Sequence, residues 1–297
     1  MSLTARIPRS VKTKLRAAWA EVQRVWVGLF QSYDADQLVT ALKSLGLTAG
    51  DTWMLHSSFG AHHGFRGTVH QLTDVFLDFL GPEGTLLMVS LPYRGSSLEF
   101  LQRISQFDVR KAPSMMGLVS EYFRRRPQVL RSLSPTHPIL AAGARAEWIV
   151  ANHEDCLFPC GPGSPFEKLL ALDGKVVFFN APFATFTFFH YLEHVVSPRL
   201  PFPLYSERPF DVPVIKHNGE RGSVKTFVFS IEAIRRRRFE RLESELFRRG
   251  LIARRKVGNS QLMAIRVRDA VACVEDMCGR GDYFYDFDDL PVARASV

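Results

Sequence analysis

The chain is 297 residues long, 46% hydrophobic and 23% charged, with a formal net charge of +8. That balance fits a folded globular protein with a full core, not a disordered or fibrous chain. No run of about 20 uncharged apolar residues is present, which argues against a transmembrane helix, and the first residues lack the apolar core of a secretory signal, so a cytoplasmic protein is expected.

Residues 1–30 carry six basic side chains against one acidic, residues 231–256 carry ten against four, and the remainder sums to −3. The basicity is peripheral, so a nucleic-acid binder with a basic face built into its fold is not expected. Residues 10–30 (SVKTKLRAAWAEVQRVWVGLF) predict an amphipathic helix, with Val11, Leu15, Trp19, Val22, Trp26 and Leu29 at steps of three and four. Such a helix can pack on the body or on a second copy in a homodimer, or lie on an anionic membrane surface. It is read as a basic helical extension, 1–30, ahead of one α/β domain, 31–297.

Strands and helices then alternate. A helix ends at Gly46, and TWMLHSS is a short strand. VHQLTDVFLDFLG is a helix, GTLLMVS a buried strand, and SMMGLVSEYFRRRP a helix stopped by Pro127. PILAAG is a strand and ARAEWIVANHE a helix. SPFEKLLALDG is a helix with Ser164 as N-cap and Pro165 in its first turn. KVVFFN is a strand, and TFFHYLEHVV the helix after it. The Pro-rich stretch 197–213 reads as a draped loop. KTFVFS follows as a strand, then one long charged helix near 231–249. In that helix Arg235–Arg238 are solvated and laced to Glu232, Glu240, Glu243 and Glu245. QLMAIRV is a strand, and a helix near 267–278 closes the order. Continuous apolar strands alternating with helices point to a three-layer α/β/α sandwich with a mixed, mostly parallel central sheet. Cys156, Cys160, Cys273 and Cys278 read as reduced thiols, neither a disulfide framework nor a zinc site.

Three segments carry chemistry. The first is H-x-x-E-H, His190, Glu193 and His194, on a helix that leaves the C-terminal end of a strand, where open α/β sheets place their ligands. The pattern admits a zinc-dependent hydrolase, a general base oriented by its carboxylate, or a polar face without chemistry. Zinc requires a third ligand that the sequence does not mark, so the general base is favoured. Thr185 or Thr187 is the expected N-cap, and the helix dipole helps to keep His190 neutral. The second segment is MLHSSFGAHHGFRGTVHQL, where a strand ends in His56, Ser57 and Ser58 and a loop holds Gly60, Gly64 and Gly67. Backbone N–H groups at such a turn can meet a phosphate or an oxyanion; a tight strand-to-helix turn is the plain alternative. The third is RSLSPTHPILAAG, in which Arg131, Ser132, Ser134 and His137 crowd a turn.

Taken together and in order, several segments resemble the aminoglycoside 3-N-acetyltransferase family from about residue 35 to 280. They are LGLTAGDTWMLHSSFGAHHGFRG, GPEGTLLMVSLPY, FDVRKAPSMMGLVSEYFRRRPQVLRSLSPTHP, HEDCLFPCGPGSPFEKL, TFTFFHYLEH and VGNSQLMAIRVRD. The resemblance implies transfer of an acetyl group from acetyl-coenzyme A to an amine of a small molecule, without a metal and without a covalent acyl-enzyme. It matches Thr187, His190 and Glu193 to the family's T-x-x-H-x-x-E, with the histidine as general base. It also implies that His56, Ser57, Ser58, Gly64, Arg66, Gly67, Arg131 and Ser132 lie in segments that hold coenzyme A. Ser134 and Pro138 depart from the family's R-S-x-H-P-x-x-S, and Gly64-Phe65-Arg66-Gly67-Thr68 departs from its G-x-x-G-G. These changes turn the expected acceptor from a drug-like aminoglycoside toward an amino sugar.

Overall fold

The computed structural model describes residues 9–60 and 64–287. The first helix, α1 (Arg9–Phe30), is followed by α2 (Ala35–Ser44), β1 (Thr52–Ser57), α3 (Val69–Leu80) and β2 (Thr85–Val89). Then come α4 (Ser97–Arg103), β3 (Phe107–Asp108), α5 (Leu118–Arg124), β4 (Leu130–Arg131), β5 (Ile139–Gly143), α6 (Ala146–Val150) and α7 (Pro165–Ala171). The second half holds β6 (Lys175–Phe179), α8 (Phe189–Val196), β7 (Phe210–Ile215), β8 (Arg221–Thr226), α9 (Ile231–Arg236), α10 (Phe239–Arg248), β9 (Ala253–Val257), β10 (Ser260–Arg266) and α11 (Val267–Gly279).

Local chemistry starts the helices where the sequence predicts. Asp34 and Gln37 close a capping box on α2, Thr68 and Gln71 another on α3, and Ser164 caps α7 with Pro165 behind it. Seven strands form the main sheet in the order β4-β5-β2-β1-β6-β10-β9. Its middle, β2-β1-β6, is parallel, and the strands outside it pair antiparallel. Every residue of β2 is buried, as are five of six in β1, because both faces are covered. Alternate side chains divide between the two faces. Met54, Leu87, Ile139, Val176 and Phe178 pack with α7, α8 and α11, while Trp53, Leu55, Leu86, Val177 and Phe179 pack with α2 and α3. This is the three-layer α/β sandwich with a mixed central sheet.

Three features depart from the sequence-based expectations. The stretch read as a loop at 197–213 runs into β7, which with β3 and β8 makes a second, three-stranded sheet. The long helix near 231–249 is broken in two, since Arg237 leaves α9 in an extended conformation (φ −57°, ψ 136°) before α10 begins. The apolar stripe on α1 is not packed on the body. Trp19, Val22, Trp26 and Leu29 are all more than half exposed, and among the described side chains of α1 Val27, on another face, is the buried one. Side chains at Val11 and Leu15, read into the same stripe, lie outside the described set.

Candidate active site

The C-terminal ends of β1, β2 and β6 open into a cleft of about 210 Å³ lined by His56, Ser57, Val89, Met116, Ser120, Ala181, Thr185, Thr187, His190 and Phe239, among others. Helix α8 carries the central pair into it. His190 Nδ1 and Glu193 Oε2 are 2.7 Å apart, and the carboxylate is fully buried. A carboxylate in contact with an arginine is ionised and can only accept, so Nδ1 carries the ring proton and Nε2 is the basic nitrogen. Burial lowers the His190 pKa, Glu193 raises it in part, and Arg237 lowers it again. Burial alone would raise the Glu193 pKa, but Arg237 and His190 outweigh that and hold it below its ordinary value. Arg237 Nε donates to Glu193 Oε1 at 2.6 Å, and the hydroxyl of Tyr285 donates to the same oxygen.

His137 is the second histidine at the site. It is buried, its ring lies 5.4 Å from that of His190 in an edge-on arrangement, and Phe229 stands beside both. Burial keeps His137 neutral. His56, at the end of β1, is also buried, and burial pushes its pKa down to about 3. Its Nε2 accepts from the backbone N–H of Thr187 at 3.3 Å, which ties the approach to α8 onto the sheet.

Several predicted site residues have other work. Neither Thr185 nor Thr187 caps α8. Thr185 donates to the carbonyl of Pro182 and Thr187 to that of Thr185, while the N-cap position is Phe188, without a side-chain cap. Thr187 still lines the cleft. Ser57 is half-buried in the cleft wall and Ser58 is exposed, but the Ser58 N–H is taken by Phe179 O, in line with the β1–β6 pairing. The N–H groups of Arg66 and Gly67 bond Tyr33 O and Phe65 O, and Gly64 O accepts from Tyr33 N. The Gly64 carbonyl and the Arg66 N–H therefore tie the loop to Tyr33, and the Arg66 and Gly67 N–H groups are spent on protein carbonyls; residues 61–63 lie outside the described set. The φ of Gly64 is +79°, and a Cβ there would meet Gln31 O at 2.6 Å, so this glycine permits a chain crossing.

The arginine turn is corrected in the same way. Arg131 is buried, and its guanidinium donates to the carbonyls of Ser90, Val109 and Ala112. Ser132 Oγ accepts from Ile139 N and pairs with His153 Nδ1 at 2.7 Å. With those partners neither side chain is open to a phosphate. Of the H-x-x-E-H string, His190 and Glu193 meet, but His194 turns away, its Nδ1 2.9 Å from the hydroxyl of Tyr205. Among the described residues no group of three or more His, Cys, Asp or Glu side chains could hold a metal. Arg237, Tyr285 and Phe229 are residues around the His190–Glu193 pair that sequence reasoning missed, as it missed Met116, Ser120 and Phe239 in the cleft wall. The only signal for Arg237 was its place in an arginine run, and Tyr285 lies near the end of the chain.

Comparison with known proteins fits this geometry. The family model for aminoglycoside 3-N-acetyltransferase matches residues 54–278, which includes the cleft from His56 to Phe239. The chain belongs to the aminoglycoside 3-N-acetyltransferase family. Among the family's curated members, aminoglycoside N(3)-acetyltransferase III of Pseudomonas aeruginosa is 31% identical over 175 residues, 54% of this chain. The chain spans just under two thirds of that relative, 64% of its length. The crystal structure of the aminoglycoside acetyltransferase AAC(3)-IVa apoenzyme superposes with a TM-score of 0.68 at 27% identity, covering 85% of this chain and 91% of that one. The structure of AAC-VIa bound to sisomicin is similar at 27% identity and a TM-score of 0.68, covering 84% and 98%.

Proposed function

We propose that this protein is an acetyl-coenzyme A-dependent N-acetyltransferase that acetylates an amine of a small molecule, an amino sugar or aminoglycoside-like acceptor, by direct transfer. The observation that carries this reading is the His190–Glu193 pair. It is a neutral imidazole with Nδ1 committed to a buried carboxylate, on the wall of a cleft at the strand ends, in a chain of this family. The acceptor arrives as an ammonium and gives one proton to His190 Nε2. The amine nitrogen then attacks the thioester carbonyl; the new C–N bond forms as the C–S bond breaks, the acylated nitrogen gives up its second proton, and the sulfur, leaving as thiolate, takes up that proton. General-base assistance of this kind contributes about 10²–10⁴-fold. Ser57, which lines the cleft, offers its hydroxyl to the developing oxyanion, while those of Thr187 and Ser120 donate to the carbonyls of Thr185 and Gly117.

AAC-VIa takes sisomicin, an aminoglycoside, in its solved structure. Here the described cleft lining contains no Asp or Glu, so it offers a polycation no counter-charge. That favours an amino sugar with a single amine. The test is a thermal-shift titration with acetyl-coenzyme A, followed by a panel of amines from single amino sugars to aminoglycosides, read by thiol release. Saturable binding and turnover on an amino sugar are expected; absence of acetyl-coenzyme A binding contradicts the reading.

The exposed stripe of α1 is assigned to an anionic lipid surface, on a cytoplasmic enzyme. Residues 1–30 carry a net charge of +5 and the chain as a whole +8. That charge opposes a symmetric contact between two copies and favours acidic headgroups, with Trp19 and Trp26 suited to the interface.

A further inference from the structure

The second oxygen of Glu193 is held by two groups remote in sequence. Arg237 Nε lies 2.6 Å from Oε1, and Tyr285 donates its hydroxyl to the same atom, while Oε2 faces His190. The fold goes to some length to bring them there. The chain leaves the helical conformation at Arg237, and a backbone bridge pairs Arg237 with Tyr285. Arg238 N donates to Phe284 O, and the Arg238 side chain pairs with Asp286 at 2.6 Å. The Arg237 side chain is 11% exposed, and its guanidinium lies over the Phe229 ring at 4.7 Å, the same ring that stands 4.7 Å from His190. Neighbouring arginines differ: Arg235 is exposed, and Arg236 pairs with Glu232 and lies over Phe202.

We infer that Arg237 and Tyr285 are positioning residues for the acetyl transfer proposed above, clamping Glu193 so that its carboxylate stays ionised in a dry site and fixes His190 with Nε2 free. The inference rests on that proposed activity for its kinetic readout only. A buried carboxylate without a cation would tend to take up a proton. Glu193 would then orient His190 less firmly, and the ring could flip or change tautomer. Arg237 also places a positive charge near the imidazole, which opposes its protonation. Among the described residues, the other titratable groups around the pair and Arg237 are His137 from the turn before β5, Cys160 from the loop after α6, Tyr205 from the Pro-rich stretch and Tyr93 after β2. Burial keeps all four neutral, so Arg237 is the fixed cation at the pair.

The sign of the effect follows. Replacing Arg237 by Gln removes the positive charge that keeps protons off the His190–Glu193 pair, so the pair takes up its first proton at higher pH, whether that proton sits on the imidazole or on the carboxylate. The acid limb of kcat/KM should move to higher pH by about one unit or more. Tyr285→Phe keeps the ring and removes one donor to the carboxylate; it should move the limb the same way by less. Arg237→Lys restores a cation and should return the limb toward the wild-type position. A role in stability alone would lower the melting temperature and leave the limb in place.

The experiment is the pH profile of kcat/KM for wild type, Arg237→Gln, Arg237→Lys and Tyr285→Phe, paired with NMR titration of the His190 imidazole in each folded variant. An upward shift in Arg237→Gln, with return in Arg237→Lys, supports the clamp. An unmoved imidazole titration in both Arg237→Gln and Tyr285→Phe overturns it. The NMR arm needs no acceptor, so absent turnover in the wild type with a shifted imidazole defeats the proposed activity and leaves the clamp standing. Should Arg237→Gln fail to fold, Tyr285→Phe decides alone, since it leaves the buried ion pair intact.

Discussion

Arg131 and Arg237 show how one residue type takes opposite parts depending on what it faces. Arg131 is surrounded by carbonyl oxygens that would otherwise be buried without donors, and burial pulls its pKa down to about 9. Arg131→Ala should therefore lower stability by about 3 kcal/mol or more, since it leaves several buried acceptors unsatisfied. The affinity of the folded fraction for acetyl-coenzyme A should stay unchanged; urea unfolding and a binding titration check the two parts. A selective loss of affinity would reinstate the cofactor contact that the family resemblance implies. Arg237 instead meets a carboxylate. Neither outcome was legible from the chain, because a run of arginines looks solvated until the break after Arg236 and the return of Tyr285 are known. His190 and Glu193 were legible because three residues of helix bring them together without help from the rest of the fold.

Helices and strands whose ends are set locally were read well. Ser164 with Pro165 starts α7, and Gly81 ends α3 with a φ of +68° that suits glycine. The elements that were missed are those made by distant pairing. β3 and β4 have two residues each and exist only because β7 and β5 lie beside them. β9 reads Ala-Arg-Arg-Lys-Val, three charges in five residues, and is a strand because β10 offers it an edge. The amphipathic pattern of α1 was legible and its partner was not, since periodicity shows that a helix has an apolar side and says nothing of what covers it. Trp19 and Trp26 are 64% and 56% exposed. The wild-type protein should sediment with vesicles containing phosphatidylserine, with binding weakened by salt. Trp19→Ser/Trp26→Ser should reduce that binding at least about tenfold, and neutral phosphatidylcholine vesicles should bind poorly. A dimer in solution that the double variant dissociates, without vesicle binding, would assign the stripe to a second copy instead.

Three layers were predictable because β1, β2 and β6 each hold a continuous apolar run (Trp53–Leu55, Leu86–Val89 and Val176–Phe179), and such strands need cover on both faces. The second sheet was not, because β7 and β8 alternate buried and exposed positions over a proline-interrupted stretch. The fold buries a set of neutral histidines, with His56 held down to about 3 and His153 to about 4, both by burial. In the unfolded chain each titrates near 6.5. The unfolded state therefore binds more protons than the native state as pH falls below that value, and stability must fall with it. Each such histidine contributes a slope of up to about 1.4 kcal/mol per pH unit until its native pKa is reached. Urea unfolding at pH 7 and pH 5 should show a clear loss at the lower pH, and equal stability at both would mean that these rings are solvated or charged in the native state. The proposed chemistry rests on the same property at His190, an imidazole kept neutral beside the buried Glu193 carboxylate. The direct measurement is acetyl transfer by His190→Ala against wild type, with folding checked by circular dichroism and thermal unfolding. A fall in kcat of about 10²-fold or more with near-normal folding is predicted, and wild-type turnover in the variant would contradict the assignment of His190 as the base.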